Sequence, residues 1–139
     1  MERPVREDRM SGEGNVLRIN IEYGDFDFHA FFEDCEEFCR RRGMALKEIR
    51  AIQLLIEEVV VNHLLMHTDH MYFEITCSGE KHYTDIRFEY VGEPYNLYET
   101  EEPKDLSVVL IKCLTDEYTY EFNEAEHRNV MRIIIKFLK

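Results

Sequence analysis

One stretch of helical periodicity carries two acids, an amide and two imidazoles: Glu57, Glu58, Asn62, His63 and His67. Glu58 and Asn62 are four apart and so share a helical face. A carboxylate beside a side-chain carbonyl is an oxygen site of the kind Mg²⁺ prefers, because that cation takes hard oxygen ligands and binds through one or two protein groups together with phosphates. Spacing alone favours the plainer reading, in which Asn62 caps or solvates the helix edge, since polar i,i+4 pairs are common on helices. His63 and His67 are also four apart, with Asp69 and His70 just beyond, and imidazoles at that spacing can chelate zinc or another borderline metal. Convergence of all three rings requires the helix to break between His67 and His70, where Thr68 and Asp69 stand. The competing reading is that histidine suits the negative end of a helix, and no metal site is expected. Cys35 and Cys39 share a helical face with Phe31 and Phe38 and read as small core residues.

The elements that must position these groups follow from apolar period. Leu17, Ile19, Ile21 and Tyr23 alternate with polar residues, a strand with one buried face that Gly24 ends. Asp25 or Asp27 can cap a helix whose apolar positions Phe28, Phe31, Phe32, Cys35, Phe38 and Cys39 recur at three and four, with Arg40 to Arg42 at its negative end and Gly43 as a stop. From Leu46 to His67 no Gly or Pro interrupts a second, long helical pattern. Met71 to Cys77 and Ile86 to Tyr90 alternate on either side of a turn at Ser78 to Lys81, the pattern of a β-hairpin. Gly92 to Lys104 holds Pro94, Pro103 and four glutamates without period, and is expected to be a mobile loop. A short helix around Leu106 to Cys113, a strand at Tyr118 to Phe122, a turn and a β-branched strand at Val130 to Leu138 complete the chain. The order βααββ, loop, αββ predicts an α+β two-layer sandwich with helices on one face of a mixed, mostly antiparallel five-stranded sheet.

At 139 residues the chain suits one domain, residues 16–139, behind a flexible tail at 1–15. Apolar residues make up 45% and charged residues 33%, which excludes a disordered or membrane-embedded composition. Seventeen basic against 29 acidic residues give a formal charge of −12, which repels phosphate backbones and anionic lipid; Arg40 to Arg42 form the one basic cluster. Neither nucleic acid nor a membrane is therefore an expected partner. No apolar run nears the ~18 residues of a membrane span, and the first residues lack the apolar stretch of a signal peptide. Four irregularly spaced cysteines suit a reducing cytoplasm better than a disulfide framework.

The run LLIEEVVVNHLLMH, following RRRGMALKEIRA, resembles the N-box of the GHKL or Bergerat-fold ATPases, and is most similar to the E-x-x-x-N helix of the bacterial anti-sigma-factor serine kinases. EYVGEPYNLYE is similar to that family's D-x-G-x-P-F stretch, and LIKCLTDEYTYEFNEAEHRNVMRIIIK to its closing strands, so the likeness spans about Leu17 to Lys139. The resemblance implies a Bergerat fold, with Glu58 as general base, Asn62 as Mg²⁺ ligand and Gly92 as the tight turn beside an adenine site. It also exposes departures. Tyr90 stands where the family has the aspartate that accepts from the adenine amino group, and losing a hydrogen bond to a charged group costs about 1.5 to 3 kcal/mol, or roughly ten- to a hundredfold in affinity. The phosphate-loop G-x-G falls on Asp105, Leu106 and Ser107, with Glu101 and Glu102 close by, so that a carboxylate replaces an anion cradle. No cofactor is expected, with ATP and Mg²⁺ bound only if the site functions. The resemblance implies an anti-sigma-factor-like regulator whose partner is a sigma factor, an anti-sigma antagonist or a response regulator. The alternatives are an active serine/threonine kinase acting on such an antagonist, and a homodimeric or otherwise oligomeric subunit without ligand.

Overall fold

The structure is a computed structural model that describes residues 16–22, 27–68, 70–78, 83–99 and 106–137. The tail at 1–15, the cap candidate Asp25, the hairpin turn at 79–82 and the acidic run through Asp105 lie outside the described residues. Five strands and three α-helices are described: β1 (Val16–Glu22), α1 (Phe28–Arg41), α2 (Leu46–Asn62), β2 (His70–Ser78), β3 (Tyr83–Val91), α3 (Leu106–Leu114), β4 (Glu117–Asn123) and β5 (Arg128–Lys136). Single 3₁₀ turns at Leu64–Met66 and Leu97–Glu99 interrupt the connections. This is the α+β order that the periodicities predict. The strands lie in the order β1-β2-β3-β5-β4, and every neighbouring pair is antiparallel, which corrects the expectation of a mixed sheet.

Register explains the core. Phe73 on β2 faces both Ile19 and Phe88, Ile86 pairs with Ile75 and Ile133, and Tyr90 lies between Met71 and Asn129. Each of these side chains is buried, and successive residues on the same strands point to the other, polar face. There Glu89 pairs with Arg87 and Arg128, and Asp85 with Arg132. The buried face meets the helices through Phe31, whose ring is edge-on to Phe73, and through Ile52, Ile56 and Val59 of α2 in the same apolar cluster. Cys35, Cys39 and Cys77 are buried there as free thiols. A hydrogen bond with Cys77 and burial both push the Cys39 thiol up, which keeps it protonated.

Local signals account for most boundaries. The Asp27 carboxylate accepts from the Ala30 N–H at 3.1 Å and caps α1. Gly43, with φ +84°, takes the left-handed conformation that ends it. Glu48 accepts from the Ala45 N–H at the start of α2. That helix stops at Asn62 instead of running on to His67. Neither Gly nor Pro causes the stop: His63 leaves helical geometry with φ −133° and ψ −66°, and the chain tightens into the 3₁₀ turn. The Thr68 hydroxyl then lies 2.8 Å from the Val91 carbonyl oxygen and 2.9 Å from that of His70, tying the helix exit to the ends of β2 and β3.

Candidate functional site

The irregular end of α2 turns His63 inward, to 5% exposure, and makes it the meeting point of three elements. Its Nδ1 lies 2.8 Å from the Tyr95 hydroxyl and its Nε2 3.1 Å from Ser107 Oγ, in the first turn of α3. His67, one turn further on, is exposed and stacks its ring on Tyr95 with centroids 3.8 Å apart. His70 opens β2 instead, with its Nδ1 3.6 Å from the Glu22 carboxylate. The three imidazoles therefore serve different contacts and do not converge. Among the described residues no group of three His, Cys, Asp or Glu side chains is arranged to hold a metal.

Tyr95 is fixed from every side. Its N–H donates to Asn129 Oδ1 at 2.9 Å and to the Tyr120 hydroxyl at 3.1 Å, and its carbonyl accepts the Tyr90 hydroxyl at 2.6 Å. Asn129, fully buried on β5, donates from Nδ2 to the carbonyls of Tyr90 and Glu93 at 3.1 Å each. Its Oδ1 also accepts from Tyr120. A main-chain N–H at one end of this amide and two carbonyls at the other fix its orientation. Gly92 makes the approach possible. It has φ +141°, a Cβ there would meet the His67 carbonyl oxygen at 3.4 Å, and its N–H donates to the His127 carbonyl at 2.9 Å. Residues 92–99, expected to be mobile, are thus contacted by side chains from three strands and from the irregular exit of α2.

Tyr90 is 1% exposed. Burial, with the phenols of Tyr120 and Tyr95 nearby, pushes its pKa up, so it is a neutral donor. Tyr98 sits beside this cluster, its hydroxyl 2.6 Å from Thr115 Oγ1 and its ring stacked on Tyr118. Burial pushes its phenol up to about 12, partly offset by the hydrogen bond with Thr115.

Glu58 and Asn62 share the outer side of α2. The Asn62 amide donates to the Glu58 carboxylate at 2.7 Å, and Asn62 is exposed. Together with Tyr90, Gly92 and Ser107 they are the described members of the set that the resemblance singles out; Asp105 lies outside the described residues. As a cradle for Mg·ATP this set fits poorly. A purine amino group needs an acceptor, whereas the Tyr90 hydroxyl already donates to Tyr95 and its ring is enclosed. A triphosphate needs open main-chain amides or cations, whereas Ser107 is joined to a buried imidazole.

Of the hub residues, Tyr95 is met in sequence only as a matching place in the D-x-G-x-P-F-like stretch, Asn129 and Tyr120 only as turn and strand positions, and His63 as a metal ligand candidate. One signal was present: five of the eight tyrosines fall in two short stretches, 90–98 and 118–120. Buried tyrosines need polar partners, and such clustering points to a shared network. Among known proteins, neither protein-family models nor curated sequences give a match to this chain.

Proposed function

We propose that the chain is a regulatory protein of the anti-sigma-factor type, acting in a reducing cytoplasm by binding a protein partner, with a nucleotide site occupied by its own side chains. The reading takes the fold as a two-layer sandwich of the Bergerat type. The element order, the N-box-like Glu58 and Asn62 on α2, and the Gly92 turn at the end of β3 support that choice. The observation that carries the functional half is the His63 bridge between Tyr95 and Ser107. In a nucleotide-binding relative the equivalent positions would leave room for phosphate and base. Here they are joined to one another by hydrogen bonds, and among the described residues of the cluster there is no lysine or arginine. The partner of this reading is a sigma factor or an anti-sigma antagonist.

Calorimetric titration with Mg·ATP and Mg·ADP tests it. The expected result is no saturable heat below millimolar nucleotide, a ceiling of about −4 kcal/mol. A micromolar dissociation constant, about −8 kcal/mol, would sink the closed-site reading. It would promote the alternative, a serine/threonine kinase, which one observation favours: Glu58 and Asn62 remain side by side on one helical face.

A further inference from the structure

Three of the four cysteines meet in the core although they come from two elements. Cys35 and Cys39 stand one turn apart on the inner face of α1, and Cys77 lies on the inner face of β2, none of them more than 3% exposed. The meeting follows from how the two elements pack. The Phe31 ring is edge-on to Phe73 at 5.1 Å. From there eight residues of helix at about 1.5 Å each and four residues of strand at about 3.3 Å each cover the same roughly 12–13 Å. That step leads to Cys39 on α1 and to Cys77 on β2, where the two thiols are hydrogen-bonded to one another. Period alone marks Cys35 and Cys39 as core residues; the third sulfur is brought by the sheet.

The end of α1 adds a cation to this cluster. Arg40 and Arg41 pair with Glu36 and Glu37 one turn back, whereas Arg42 has no ion pair among the described residues. The half-buried Arg42 lays its guanidinium over the Phe38 ring, 4.3 Å from the centroid, and its Nε is buried without a hydrogen-bond partner. An open N–H donor on a cation beside sulfur suits a thiolate, which accepts charge-assisted hydrogen bonds. The two thiols divide unequally. The hydrogen bond from Cys39 lowers the Cys77 thiol from its ordinary range; burial opposes this, and the Arg42 guanidinium adds to the lowering. The same hydrogen bond and burial push Cys39 up. One sulfur is thus poised as a nucleophile and its neighbour is kept as a proton donor.

We propose that Cys39 and Cys77 are an oxidisable dithiol that a small hydroperoxide closes into a disulfide joining the end of α1 to β2, with Cys77 as the attacking sulfur beside Arg42 and Cys39 as the resolving one. The Cys77 thiolate attacks one peroxide oxygen and the O–O bond breaks. The hydroxide that leaves takes up the proton Cys77 had released, so the peroxide is reduced to water while Cys77 becomes a sulfenic acid. The Cys39 sulfur then attacks the Cys77 sulfur, the S–S bond forms, the S–O bond breaks, and the hydroxyl departs with the Cys39 proton as a second water. Two thiols and one peroxide give one disulfide and two waters. The oxidant class follows from burial, because only a molecule near the size of water reaches sulfurs this enclosed. In a reducing compartment such a pair stays open until an oxidant appears. The inference stands apart from the binding reading above and from whether nucleotide binds.

The test uses the full chain carrying Cys113→Ser, which removes the exposed thiol and leaves the core as it is. The folded protein is treated with hydrogen peroxide, remaining thiols are blocked, and intact mass and a proteolytic peptide map are read. The expected product is lighter by two hydrogen atoms, has the Cys39 and Cys77 peptides joined and Cys35 blocked as a free thiol, and reverts with dithiothreitol. Adding Cys39→Ala should halt the reaction at the Cys77 sulfenic acid, heavier by one oxygen and captured by dimedone. Arg42→Gln should slow the loss of the Cys77 thiol at least about tenfold. In urea, where closeness along the chain decides, pairing should pass to Cys35 with Cys39. A folded chain that stays reduced, a bridge between Cys35 and Cys39 in the folded protein, or the same pairing with and without urea would each overturn the dithiol. Dimedone capture at Cys39 in place of Cys77, or an Arg42→Gln rate equal to the parent's, would overturn the roles given to these residues. The peptide map needs no core substitution, so a Cys39→Ala chain that fails to fold leaves the outcome decided.

Discussion

Asn129→Ala should be the most damaging conservative change in the tyrosine cluster. It removes four hydrogen bonds at once and leaves the buried Tyr90 carbonyl and the Tyr95 N–H without this partner. An orphaned buried polar group costs about 1–3 kcal/mol, so a loss of roughly 2–4 kcal/mol is expected, read from the midpoint of urea unfolding. Asn62→Ala, at an exposed position whose amide bonds to Glu58 within the helix, should stay within about 0.5 kcal/mol. Similar losses at the two positions would mean that the network does not hold the loop. The contrast also separates what single residues reveal in sequence from what they conceal. Glu58 and Asn62 are legible because their relation is local, four residues along one helix. Asn129 is 34 residues from Tyr95 and 39 from Tyr90, and its role exists only once β5 lies beside β3.

The elements themselves were legible almost throughout, because period two and period 3.6 are written without interruption in the apolar residues of β1, β2, β3, β5, α1 and α2. The end of α2 was not. His63 and Leu64 are compatible with continued helix, and the chain leaves it because buried contacts to Tyr95, Ser107 and the Val91 carbonyl outweigh further helical hydrogen bonds. The Gly92 segment misleads in the opposite sense, since its prolines and glutamates suggest a solvated loop while Leu97 and Tyr98 are buried. Gly92 is the joint on which this arrangement turns. Gly92→Ala forces a side chain into positive φ at +141° and sets its Cβ at 3.4 Å from the His67 carbonyl oxygen. A cost of about 1–3 kcal/mol follows. The measurement is thermal unfolding alongside amide exchange at residues 92–99, which should speed up in the variant. A variant as stable and as slowly exchanging as the parent would mean that the loop is anchored without this turn.

For the molecule as a whole, charge and burial act on different faces. The core is apolar and continuous from β1 to β5, whereas the formal charge of −12 is spread over the surface and works against compaction through self-repulsion. The half-exposed pairs on the open sheet face, Arg132 with Asp85 and Arg87 with Glu89, pull the other way, but pairs that solvent still reaches contribute only about 0–1 kcal/mol each. Added salt screens both effects, so its sign reports which is larger. At about 0.01 M ionic strength the Debye length of roughly 30 Å lets most of the 29 carboxylates feel one another, and at physiological salt it contracts to roughly 8 Å. Repulsion among an excess of acids is long-ranged and is lost first, while contact pairs within a few ångströms persist. The melting temperature should therefore rise between these two ionic strengths. A gain of about 1 kcal/mol corresponds to several degrees for a domain of this size. Differential scanning calorimetry across a sodium chloride series checks this. A falling melting temperature would show that the ion pairs on the open sheet face act as a network stronger than their exposure allows.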